Sequence, residues 1–143
     1  MVEGPAEAGH YNDDAMIICA IDDLMFSIRI SNAAKALQAD VHFERSGDKL
    51  LQTIREKQPS LVIFDLNSAR LRPLDAIASL KGDPELKAIR TLGYVAHVDT
   101  TTIEAARAAG IDQVIARSAF VAQLGEILTS ASATKTRPQP SPE

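Results

Sequence analysis

Several things are scarce in this 143-residue chain, and each absence removes a class of function. Cys19 is the single cysteine. No intrachain disulfide can form, and a cytoplasmic location is expected. Cys19 lies in an expected core strand, as a buried small hydrophobe and not a reactive thiol. Basic residues are not in excess. The formal net charge is -4, so there is no broad cationic surface for nucleic acid or an anionic membrane. No apolar run approaches the roughly 18 residues of a membrane span. The acidic, small-residue N-terminus lacks the charged and apolar regions of a signal peptide. The three histidines, at positions 10, 42 and 97, lack metal-ligand spacing.

What is present is a core's worth of apolar residues, 45% of the chain, beside 24% charged residues. That is ordinary for one soluble globular domain. The stretch Leu61-Val62-Ile63-Phe64-Asp65 is a short continuous apolar run ending in a carboxylate. Such a run suits a strand buried on both faces. Met16 to Ile21 has the same form and ends in Asp22-Asp23. If the two strands are parallel neighbours, three carboxylates converge where open α/β sheets place their ligands.

In chain order, residues 1–14 are expected to be a flexible leader. Strand 1 is Met16 to Ile21. A helix over about Leu24 to Gln38 carries Leu24, Ile28, Ala34 and Leu37 along one stripe, with Asp23 as its cap. Val41 to Glu44 alternates as an edge strand. Ser46 opens a second helix with Leu50, Leu51 and Ile54 on one face, and strand 3 follows at Leu61. Pro73 starts a third helix, whose inner face is Leu74, Ile77 and Leu80. Strand 4 is read as Thr91 to Val98. Thr100 to Ala109 is a helix stopped by Gly110. Strand 5 is Gln113 to Ala116, and a fifth helix carries Phe120, Val121, Leu124, Ile127 and Leu128. The domain is taken to span residues 15–129, with a disordered tail over 130–143. Alternating strands and helices imply a flavodoxin-like (βα)5 three-layer sandwich with parallel strand order 2-1-3-4-5.

From about Ala15 to Thr129 the chain resembles the receiver domain of two-component response regulators. Asp22-Asp23 matches the family's acidic pair after strand 1, and Asp65 matches its phosphate-accepting aspartate after strand 3. Asp83-Pro84-Glu85-Leu86-Lys87-Ala88-Ile89 looks like the family's connection into strand 4. Ala109-Gly110-Ile111-Asp112 looks like its approach to strand 5. The departures fall on the parts that read the acid site. The family's switch Thr or Ser falls on Val95, and the strand 5 aromatic on Val114. Its lysine falls on Arg117, the proline after it on Ser118, and its helix 3 glycine on Pro73.

The resemblance implies a stand-alone signalling protein, not an enzyme, that accepts a phosphoryl group on Asp65. Mg²⁺ would be held by Asp22, Asp23, Asp65 and the main-chain carbonyl of Asn67, consistent with its preference for carboxylates, carbonyls and water. Arg117 would balance the phosphoryl charge or pair directly with Asp65 and close the site. The partners implied are a sensor histidine kinase or phosphotransfer protein and a downstream effector, with no nucleic acid and no membrane. Val95 has no hydroxyl to give a phosphoryl oxygen. The alternative is therefore a pseudo-receiver, a module that keeps the fold and signals by association alone. Two other readings are weaker. Asp40-Val41-His42 resembles the start of a cobalamin signature, but Arg45 stands where glycine is needed. Flavin or nucleotide binding would want a phosphate loop after strand 1, where Asp22-Asp23-Leu24-Met25 is acidic and apolar instead.

Overall fold

A computed structural model describes residues 16–96 and 99–134. The apolar runs form the strands: β1 (Ile17–Ala20), β2 (Val41–Phe43), β3 (Leu61–Asp65), β4 (Arg90–Val95) and β5 (Gln113–Ala116). They make one parallel sheet in the order β2-β1-β3-β4-β5, the expected flavodoxin-like topology. The helices are α1 (Leu24–Leu37), α2 (Gly47–Lys57), α3 (Pro73–Lys81), α4 (Thr100–Ala109), α5 (Arg117–Ala122) and α6 (Leu124–Thr134), with a 3₁₀ turn at Ala69–Leu71.

Strand alternation divides the core in two. Ile18, Ala20, Val62 and Phe64 point to one face, where Leu50 and Ile54 of α2, Ile77 and Leu80 of α3 and Ala106 of α4 cover them. Ile17, Cys19, Ile63 and Tyr94 point to the other, against Phe26 and Ile30 of α1, Phe120 of α5 and Leu124 and Leu128 of α6. β1 and β3 are thus apolar on both sides, which explains their unbroken runs. Two glycines answer to specific geometry. Gly110 ends α4 with φ 106°. At Gly93 of β4 a Cβ would lie 2.7 Å from Leu66 Cδ1, so the loop after β3 folds down where a side chain is missing.

Four expectations need correction. The inner face of α1 is Phe26, Ile30 and Ala34, with Ser27, while Leu24, Ile28 and Leu37 are exposed. Residues 24 and 26 stand about 200° apart on a helix, so the Phe26 row faces in and the Leu24–Ile28 row faces out. β4 ends at Val95 and not Val98; Ala96 already bends away, and His97 and Val98 lie outside the described residues. The fifth helix is two, broken at Gln123, whose φ and ψ are -104° and 9°. The last helix then continues to Thr134, past the boundary set at Ser130. Ala131 is buried, and its carbonyl accepts a 2.9 Å bond from Ser60 Oγ. Of the small residues that suggested a tail, Ala131 is one that packs inside. The leader and residues 135–143 lie outside the described residues.

Candidate functional site

The register of β1 with β3 pairs Ala20 with Phe64, so both chains leave the sheet together. Asp22, Asp23 and Asp65 therefore reach the same carboxyl edge, as the sequence implied. They do not share a single partner there. Asp23 caps α1, its Oδ1 accepting from Phe26 N at 3.1 Å. Its Oδ2 accepts from Arg117 at 3.2 Å. That backbone bond, with the guanidinium, holds the Asp23 carboxyl below the usual range despite some desolvation. Asp22 accepts a long 3.4 Å contact from Arg70, in the 3₁₀ turn after β3. Arg70 is largely exposed, so this pair contributes little.

Asp65 is the carboxylate left without a guanidinium bond. Its Oδ1 accepts from the main-chain N–H of Asn67 at 3.0 Å, an Asx turn. Burial pushes its carboxyl above the usual range. The Asn67 bond and the charge of Arg117 oppose that shift, and the charges of Asp23 and Asp22 add to it. A raised native pKa means that the ionised form destabilises the fold. This cost is absent below the unfolded pKa and develops as pH rises through the folded one. Asp65→Asn, which keeps an acceptor for Asn67, should therefore raise the melting temperature at about pH 7. It should not do so at about pH 3, where both states are protonated. Paired thermal melts at the two pH values check this, and equal shifts at both would dismiss the burial argument.

Arg117, to which the resemblance gives either a phosphoryl group to balance or Asp65 to pair with, does not bond Asp65. It bonds Asp23 instead, with its guanidinium carbon 4.4 Å from the centroid of the Phe26 ring. The position at the start of α5 decides this: the side chain crosses the first turn of α1, where Phe26 supplies a flat face and Asp23 an acceptor. Asn67 also does something the sequence did not suggest. Its Oδ1 accepts from Ala96 N at 2.7 Å, tying the loop after β3 to the end of β4. Val95 is buried in the α2–α3–α4 core, and Val114 is partly buried against it. Neither offers a hydroxyl. The hydroxyl nearest in sequence is Tyr94 on the opposite face, which pairs in register with Asp65. Tyr94 Oη is buried with no hydrogen-bond partner among the described residues. Burial, and next the charge of Asp65, push its phenol up.

The types of donor suit a hard cation, but their arrangement does not. Among the described residues no three His, Cys, Asp or Glu side chains are gathered as a metal ion requires. The side chains explain why: Asp23 turns to Phe26 N and Arg117, Asp22 to Arg70, and Asp65 to Asn67. Of the residues expected to hold Mg²⁺, Asp22, Asp23 and Asp65 thus each turn to a different partner at the shared edge, and Asn67 stands beside Asp65.

A second polar cluster lies at the opposite edge, where sequence reading placed none. Asp112 Oδ2 accepts from Thr91 N and Thr91 Oγ1 at 2.8 and 2.9 Å and from Lys81 Nζ at 2.8 Å. Lys81 also donates to the carbonyls of Lys87 and Ile89. Burial opposes the Asp112 charge, but the lysine and threonine donors outweigh it and hold the carboxyl below the usual range. The cluster joins α3, β4 and β5 at the foot of the sheet and is a clamp on the fold.

No family model matches the chain, and no curated protein does. Solved structures do. The phosphorylated cyanobacterial phytochrome response regulator RcpA superimposes with a TM-score of 0.70 at 20% identity, over 90% of this chain and 98% of that one. The Mn²⁺-bound response regulator Rcp1 gives 0.67 at 16% identity, over 90% and 99%. A response regulator from Hahella chejuensis gives 0.73 at 14% identity, over 81% and 93%. The fold is that of response-regulator receivers. Receiver-fold chains of known structure thus match this one over nearly their whole length, while its acid edge is wired through arginines. No helix among the described residues is long and apolar enough to cross a membrane.

Proposed function

We infer that this chain is a receiver-fold signalling module that works by associating with protein partners, in the cytoplasm, and is not an enzyme. It is a pseudo-receiver whose acid edge is balanced internally. The observation that carries this reading is the seat of Arg117, bonded to Asp23 and stacked on Phe26. A guanidinium there neutralises one of the three acids expected around a cation, and it cannot be deprotonated to make room. The buried valine at position 95 supports the same reading, because it makes no hydrogen bond that a phosphoryl group would change. A ligand without differential contacts in two states shifts neither.

A second reading, phosphoryl acceptance on Asp65 with Mg²⁺ from a histidine kinase or phosphotransfer protein, is favoured by one feature. Asp65 alone of the three acids has no guanidinium bonded to it, at the edge where such chemistry would occur. The two separate cleanly. The chain is incubated with acetyl phosphate and Mg²⁺ and its intact mass is measured. The expected result is an unchanged mass. Gain of one phosphoryl group, abolished by Asp65→Asn, would replace the association reading with the second one.

A further inference from the structure

Three arginines meet at the start of α2. Arg45 precedes that helix, Arg70 lies in the 3₁₀ turn after β3, and Arg72 follows the turn. With Ser46, Gly47 and Asp48 they line a recess of about 400 Å³. Gly47 makes the meeting possible. A Cβ there would lie 2.9 Å from the carbonyl oxygen of Leu71, so glycine lets the turn rest on the helix. Three guanidiniums thus face one carboxylate, Asp48, in a chain with 19 acidic and 15 basic residues. Internal pairing does not use them up. Arg45 has no ion pair or hydrogen bond among the described residues. Arg70 reaches Asp22 only at 3.4 Å, and Arg72 gives one nitrogen to Asp48. Glu44, the acid just ahead of Arg45, is turned to Ser46 N and Thr53 Oγ1. Ser46 makes no side-chain capping bond, so the positive end of α2 adds to the same field.

We propose that this recess binds a compact polyanion, the diphosphate group of a small molecule. Guanidinium forks match phosphate oxygens in geometry as well as charge, and the recess is roomier than one phosphate needs. The fork of Arg72 has donors besides the one given to Asp48, so it can serve both. Its backbone is bonded on both sides, its N–H to Ala69 O and its carbonyl to Ala76 N, which sets the side chain's origin before a ligand arrives. No apolar or aromatic side chain lines the recess, so the phosphates would be recognised and not the group that carries them. Free pyrophosphate and a nucleoside diphosphate share that chemistry. An extended polyanion such as nucleic acid would also lie along Asp22 and Asp48, on a chain of net charge -4. Neither Asp65 nor Arg117 lines the recess, so the proposal stands whichever reading of the acid edge holds.

The test is calorimetric titration of the full chain with inorganic pyrophosphate, in chelator so that no divalent ion carries the anion to the acid edge. Pyrophosphate should bind with a dissociation constant below about 1 mM, and at least about tenfold more tightly than inorganic phosphate. ADP should match pyrophosphate, and AMP should bind as weakly as phosphate. Affinity should fall with salt. Arg45→Gln should weaken pyrophosphate about tenfold. That change breaks no bond among the described residues, so the melting temperature should stay where it was. Arg107→Gln, on α4, removes the same charge elsewhere and should leave the affinity within about twofold. Amide shift changes should centre on residues 45–48 and 69–72. Weaker binding than this, equal affinity for phosphate and pyrophosphate, equal losses in Arg45→Gln and Arg107→Gln, or shifts centred elsewhere overturns the proposal. So does tighter binding of single-stranded DNA than of ADP, which would make the face a nucleic-acid contact.

Discussion

Phe120→Ala should destabilise the fold by about 3–5 kcal/mol, the cost of emptying an aromatic-sized volume in a core that can collapse only in part. Phe120 is fully buried and stacks on Tyr94 with centroids 4.9 Å apart; Phe26 lies 5.7 Å from it. These three rings form the layer between α1, β4 and α5, and Phe26 is also the platform for Arg117. The variant should therefore lower the urea midpoint with little change in slope, and it should loosen the acid edge as well. Val121→Ala, one residue on and only partly buried, should cost about 1 kcal/mol or less. A loss of under about 1.5 kcal/mol for Phe120→Ala would mean that the ring layer is not what fixes α5 on the sheet.

Removing both guanidiniums from the acid edge should strengthen the chain's response to a divalent cation. In Arg70→Ala/Arg117→Ala, Asp22, Asp23 and Asp65 repel one another with nothing bonded across them. Mg²⁺ at about a hundredfold excess over its dissociation constant should then stabilise the variant by ~2.7 kcal/mol, reversibly with chelator. The native chain should melt at the same temperature with or without Mg²⁺. Arg117 should account for most of the difference, since Arg70 is more exposed and its contact longer. If the native chain is stabilised as strongly, the arginines do not stand in for a metal. If the double variant is indifferent, the acids are too far apart to share one.

The strands were legible because a sheet covered on both faces needs unbroken apolar runs, and Ile17–Ala20 and Leu61–Phe64 are such runs. The common edge of Asp22 and Asp65 followed from the strand order alone. Helix orientation was harder to read. Leu24, Ile28 and Phe26 all qualify for an inner face, and the choice between rows separated by two residues depends on which one meets Tyr94 and Phe120. The partner of Arg117 was out of reach for a different reason. A long side chain can reach either Asp23 or Asp65, and what decides is a ring 91 positions earlier in the sequence. Arg70 and Asp112 left weaker signals still: an arginine five positions after Asp65, and an acid just ahead of β5. Spacing does not distinguish either from an ordinary surface charge.

Cys19 gives the molecule an internal clock. Its sulfur sits in the middle of β1, with no exposure, on the side roofed by α1 and α6, and burial keeps the thiol protonated. An alkylating reagent can reach it only when a helix lifts from the sheet, so the labelling rate counts those openings. Because the chain has no other sulfhydryl, that count needs no engineered site and suffers no background. A partner that fastens α1 should slow the labelling in proportion to its occupancy, so one native atom would time the grip of whatever this fold holds.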